Sequence, residues 1–126
     1  MFALILGVFT SCEREMVYTR YIVNDSSFEI KIVFFNQNAE LFGDTVVIEG
    51  NSTAVIEDYY EQGVGRNGVS CAPTADGILV FANSAKATFS KNLFEESNWE
   101  KDLTGKRSID QDCFFEISAA DVVVLD

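Results

Sequence analysis

Gly63-Val-Gly65-Arg-Asn-Gly68 is the stretch whose spacing first suggests chemistry. In a dinucleotide-binding unit, glycines at these intervals let the chain turn tightly and approach a pyrophosphate held at a helix N-terminus. That use requires a strand before the loop and a helix after it. "IEDYYEQ" precedes it, acidic and half polar, and "VSCAPTADG" comes after it, with a proline and turn residues that cannot open a helix. Glu57, Asp58 and Glu61 also lie near Arg66 in sequence, a field unfavourable to phosphate. The expectation is a long loop between strands, outside any helix. Arg66 at its tip and Tyr59 and Tyr60 at its base are candidate contacts for a ligand or partner.

Carboxylates are the other reactive groups in supply. Asp110 and Asp112 fall on one face if "DQD" is extended. A glycosidase needs two such groups across a cleft, for which one small domain has little room. The same pair is a weak calcium candidate, since calcium takes about 6–8 oxygen ligands; a solvated acidic edge is the plainer expectation. The chain contains no His. Ser-His-Asp and Cys-His arrangements are therefore excluded, and a zinc centre lacks ligands. No catalytic residue, no enzyme activity and no cofactor is expected. Trp99, the single tryptophan, is read either as a plug sealing the end of the fold or as an exposed ring for a sugar or protein partner.

The elements that must position these residues are short strands. "VYTRYIV" (17–23) alternates, with Val17, Thr19, Tyr21 and Val23 on one face. "FEIKIVFF" (28–35) sends Phe28, Ile30, Ile32 and Phe34 one way and Glu29, Lys31, Val33 and Phe35 the other, the period of two of a half-buried strand. "NDSS" between them is a turn. "DTVVIE" and "TAVIEDYY" flank "GNS", a hairpin signal; "GILVFA" and "KATFSK" flank "NS", a weaker one. "RSIDQDCFFEI" (107–117) adds a strand. Residues 92–106 read as a short irregular or helical insertion. In "SAADVVVLD", Ser118 and Asp121 have capping-box spacing, whereas the valines prefer a strand. Turn signals every 8–12 residues indicate an all-β fold: a single sandwich of about seven antiparallel strands over residues 17–126.

The net charge of −11 repels phosphate backbones, so nucleic acid is not an expected partner. Ahead of Cys12 stands an uncharged apolar run, residues 1–11. It is too short to span a membrane as a helix but long enough for the core of a signal peptide. Phe9-Thr10-Ser11-Cys12 resembles a bacterial lipobox, with Phe9 where Leu is usual. The resemblance implies removal of residues 1–11, acylation of Cys12 and a tether over residues 12–16. No Lys or Arg precedes the apolar run, a departure from the usual start of a signal peptide. With Cys12 assigned to lipid, Cys71 and Cys113 remain as an even pair, which in an oxidising compartment suggests one disulfide.

As a whole the chain is similar to small lipoproteins of the Bacteroidota, which carry a lipobox, a short tether and one immunoglobulin-like β domain. In that group acidic residues after the cysteine, here Glu13 and Glu15, can direct export to the cell surface. The resemblance implies lipid anchoring at the outer membrane, and an envelope protein or a glycan as partner, without a particular activity.

Overall fold

The alternating runs become strands that bury one side each. In a computed structural model, which describes residues 15–35, 41–62, 68–73, 75–105 and 108–125 (the side chains of residues 41–44, 59, 61 and 62 apart), nine strands occur among the described residues. They are β1 Glu15–Asn24, β2 Ile30–Phe35, β3 Leu41–Ile48, β4 Ser52–Gln62, β5 Gly77–Ala82, β6 Ala85–Phe89, β7 Glu100–Thr104, β8 Ser108–Ile117 and β9 Val122–Val124. A four-stranded sheet of order β4-β1-β8-β7 packs on a five-stranded sheet of order β3-β2-β5-β6-β9. The all-β sandwich expected from the turn spacing is thus the fold, with three differences of detail.

First, there are nine strands instead of about seven. The polar stretch 92–106 holds a 3-10 turn at Glu96–Asn98 and then the edge strand β7, and the valines of the tail form β9. The 3-10 turn before β9 carries the Ser118–Asp121 box, in which Asp121 Oδ2 accepts from the Ser118 amide at 3.0 Å and from its hydroxyl at 3.1 Å. Second, not every pairing is antiparallel: β1 runs parallel to β8 over its whole length. Third, strand β1 begins at Glu15 and buries Met16 fully, so the first strand takes in two residues ahead of the expected domain start at 17.

The two hairpin signals exchange roles. "NS" joins β5 to β6 in one antiparallel ladder. Asn83 (φ 48°) and Ser84 (φ 73°) both take left-handed backbone, the pair of conformations a two-residue hairpin demands. "GNS" turns the chain just as sharply, with Asn51 at φ 57°, but it carries the chain from β3 in one sheet to β4 in the other. Its physical constraint is contact with the neighbouring corner. The Asn51 amide donates to Ser26 O at 2.9 Å, and a Cβ on Gly50 would come within 2.6 Å of Ser27 O. Asn24 ties the same corner, donating to Phe28 O at 2.7 Å and accepting from the Ser26 hydroxyl at 2.6 Å.

Between the sheets lie Ile22, Ile30, Ile32, Ile48, Phe115 and Ile117, all essentially without solvent contact. Each such side chain contributes about 1.5–3 kcal/mol by leaving water. Trp99 seals one end of this core at 7% exposure, its ring 5.3 Å from that of Phe115. Its indole N–H donates to Leu93 O at 2.7 Å. Of the two readings of Trp99, the plug is the one realised.

Candidate functional site

Two groupings of polar side chains stand out, on opposite sides of the four-stranded sheet. The first is internal. Alternation along β1 points Met16, Tyr18, Arg20, Ile22 and Asn24 inward, so an arginine enters the sandwich at 6% exposure. Its guanidinium forms an ion pair with Glu57 and donates to the carbonyls of Cys71 and Ser70. It also lies over the Tyr18 ring, 5.0 Å from its centroid. From β8, fully buried Gln111 grips the same segment: its Oε1 accepts from Val69 N and its Nε2 donates to Val69 O, both at 2.9 Å. The Glu96 carboxylate accepts from Cys71 N at 2.8 Å and Ala72 N at 3.0 Å. Partial burial opposes its ionisation. The N–H groups of Ala72 and Cys71, with Lys101 and Arg20 behind them, outweigh that and hold its pKa below the ordinary 4.5.

The Cys71–Cys113 disulfide closes this clamp, with Cα atoms 5.5 Å apart and both residues fully buried. Segment 68–73 is therefore held by one covalent bond and by side chains from three elements. Gly68 takes φ +71°, and a Cβ there would collide with the Gln111 amide. Residues 63–67, with Arg66, lie outside the described residues. From Gly68 to β5 the described chain contains no helix; the disulfide segment stands where a nucleotide-binding unit would place one.

The second grouping is external. Outward positions of the four-stranded sheet align in rows across its strands. One row runs Asp58, Thr19, Asp112, Asp102, and the next runs Val55, Tyr21, Phe114, Glu100. Thr19 Oγ1 donates to Asp58 Oδ1 at 3.3 Å. Tyr21 and Phe114 stack across the parallel pair, ring centroids 4.9 Å apart and 10° from coplanar. Partial burial first, then the charges of Asp102 and Asp110, raise the Asp112 pKa above the ordinary 3.8.

Asp110 and Asp112 do share this outward face. Alternate residues of a strand are about 6.7 Å apart, and among the described residues no group of three or more His, Cys, Asp or Glu is arranged to hold a metal. Tyr60 is half-exposed beyond Val17 in the β1–β4 ladder. Tyr59 pairs with Tyr18 in that ladder, its side chain lying outside what is described. Trp99 sits at the other end of the sandwich, so Tyr60 and Trp99 do not converge. Cys12 lies outside the described residues.

A cleft of about 230 Å³ is lined by Lys91, Asn98, Trp99, Glu100, Phe114 and Glu116. Another of about 220 Å³ lies beside Phe89 and Phe94. Both fall below the ~300–1,000 Å³ usual for a small-molecule pocket. Sequence reasoning missed Arg20 and Gln111. The signal for Arg20 was its shared parity with Tyr18 and Ile22.

Among the described residues, no helix is long and apolar enough to cross a membrane. Compared with known protein families, curated proteins and solved structures, the chain shows no significant match.

Proposed function

We propose that this chain is a lipid-anchored lipoprotein of the bacterial cell envelope, held at the outer membrane through acylated Cys12. In this reading it presents an immunoglobulin-like β-sandwich to other proteins and does not act as an enzyme. The observation that carries the reading is the Cys71–Cys113 bond. Disulfides persist in oxidising, exported compartments. This one accounts for two of the three cysteines, and the third comes after an apolar run with lipobox spacing. The polar side chains that could have suggested catalysis, Arg20, Glu96 and Gln111, are spent on holding segment 68–73. That leaves the outer sheet faces as the surfaces a partner would meet.

The test is metabolic labelling with an alkyne-bearing palmitate in a bacterial host that acylates lipoproteins. The full chain takes up the label, and Cys12→Ser does not. Label retained in Cys12→Ser, or a mature chain that keeps residues 1–11, overturns the reading.

A glycan or small-ligand module is the second reading, favoured by the Tyr21–Phe114 stack beside the cleft at Glu100 and Glu116. The protein-interaction reading is preferred because Trp99 is buried and its N–H already bonded, and because the cleft is small.

A further inference from the structure

The two sulfurs of the Cys71–Cys113 bond sit in unequal surroundings. Cys113 stands on β8, between β1 and β7, with Arg20 in register on one side and Lys101 on the other. Cys71 stands on segment 68–73, outside both sheets. Among the described residues, the hydrogen bonds of that segment all run to side chains. Arg20 holds the Ser70 and Cys71 carbonyls, Gln111 holds Val69, and Glu96 holds the Cys71 and Ala72 amides. Ser70 is exposed, and Val69 and Ala72 are partly so. Gln111 adds a second inequality: its Nε2 lies 3.1 Å from Cys113 Sγ and 3.7 Å from Cys71 Sγ.

We propose that Cys71 is the sulfur through which this bond is made and broken, by exchange with an external thiol or disulfide, and that Cys113 is the internal partner. Both cysteines are fully buried, so exchange needs a local opening. Lifting segment 68–73 breaks hydrogen bonds to side chains and no sheet ladder. Baring Cys113 by its own strand means parting β8 from β1 or β7. Exchange is also in line, the incoming, attacked and leaving sulfurs sharing one axis. Once the segment lifts, the far side of Cys71 is solvent, and the far side of Cys113 is the sheet that carries it.

In reduction, an external thiolate attacks Cys71 Sγ. A bond forms between those two sulfurs, the Cys71–Cys113 bond breaks, and its electron pair leaves on Cys113 as a thiolate, which takes a proton from water. The Gln111 N–H, nearer to Cys113, favours the charge on that sulfur. A second external thiolate attacks the outer sulfur of the mixed disulfide, so that Cys71 is released as a thiol and the two external thiols end as a disulfide. Formation is the reverse. An external disulfide oxidises Cys71, and the Cys113 thiolate then displaces the external thiol. The reaction class that supplies the oxidised chain is thus thiol–disulfide exchange directed at segment 68–73.

The proposal goes beyond the interaction reading and needs neither the lipid anchor nor an occupied sheet face, so it fails separately from them. The test uses the full chain with Cys12→Ser in detergent, so that no third sulfur competes. A brief exposure to reduced glutathione is stopped with N-ethylmaleimide in mild acid, and the peptides are read by mass spectrometry. The folded chain should carry glutathione on Cys71 and maleimide on Cys113, about tenfold in excess of the reverse form. With the chain unfolded in urea, the preference should disappear. Arg20→Met and the milder Glu96→Gln loosen the segment without touching either sulfur. Both should speed the reaction, Arg20→Met by about tenfold, with glutathione still on Cys71. Equal labelling of the two cysteines in the folded chain overturns the proposal, as does glutathione on Cys113. A preference that survives in urea belongs to the local sequence and overturns it too. So does a folded Glu96→Gln chain that reacts no faster than the original, because segment 68–73 would then not be the part that opens.

Discussion

Arg20 and Asp112 belong to adjacent strands of one sheet and face opposite ways. The Arg20 guanidinium is surrounded by acceptors: a carboxylate, two carbonyls and an aromatic face. Asp112 has carboxylates for neighbours, and they add to the rise in its pKa. The interior cannot hold a charge without compensation, because a buried ion left unpaired costs several kcal/mol. The surface can, because water and salt screen like charges. The side of the sheet that carries compensated charge thus holds the fold together, and the side with uncompensated charge is free to meet something else.

The sharpest way to break this contrast is to dismantle the internal clamp. Replacing both Cys71 and Cys113 by Ala frees a loop of 42 residues. The chain-entropy account puts the loss near 4 kcal/mol, read as a lower midpoint in urea unfolding. Arg20→Met comes next. It leaves the carbonyls of Ser70 and Cys71 without their donor while Glu57, partly exposed, returns to water. A loss of about 1–3 kcal/mol is expected, since the Cys71 carbonyl is buried and its stranding carries that cost, while exposed Ser70 can turn to water. Arg20→Lys should recover only part of it, because an ammonium cannot reproduce the guanidinium fork. An Arg20→Met protein as stable as the original would show that the clamp is ornamental.

How far this contrast could be read from sequence depends on the kind of signal. The period of two in 17–23 and 28–35 is local, and it made the strands legible. The side of β1 that turns inward was not, because its buried set includes Arg20 and Asn24, and composition favours Val17, Thr19, Tyr21 and Val23. Turn chemistry at Asn51 and Asn83 announced two reversals. It could not say that one stays in its sheet and the other crosses, since that depends on the Ser26–Ser27 corner far away in sequence. The parallel β1–β8 pairing joins residues about 90 positions apart, and a pairing so remote leaves no periodic trace. The disulfide was legible because assigning Cys12 to the lipobox resemblance leaves Cys71 and Cys113 as an even pair.

A smaller effect separates the two sides by pH. Glu96 carries a lowered pKa in the folded chain. Its contribution to stability is complete above the ordinary value of 4.5 and is lost as pH falls through the folded value. Glu96→Gln should therefore destabilise at pH 7, by no more than about 1 kcal/mol given the exposure of the carboxylate, and should match the original protein in strong acid. Urea midpoints taken across that range read the difference directly. A Glu96→Gln deficit that persists at low pH would assign its role to shape instead of charge.

Asp112 should behave in the opposite sense, with the smallest effect of the series. Its folded pKa lies above the ordinary 3.8, so the folded chain binds that proton more tightly than the unfolded chain does. The ionised carboxylate then works against folding at neutral pH, and the penalty fades as pH drops through the folded value. Asp112→Asn removes a charge beside Asp102 and Asp110 while keeping the size of the side chain. At pH 7 it should raise stability by under about 1 kcal/mol, an amount reduced by salt because the group is largely in water. In strong acid the two proteins should coincide. A stabilising effect wholly insensitive to salt would mean that desolvation accounts for all of it and that the charges of Asp102 and Asp110 add nothing. A destabilising effect would mean that the Asp112 carboxylate has a partner at the surface, and the outer row would then resemble the interior in being compensated.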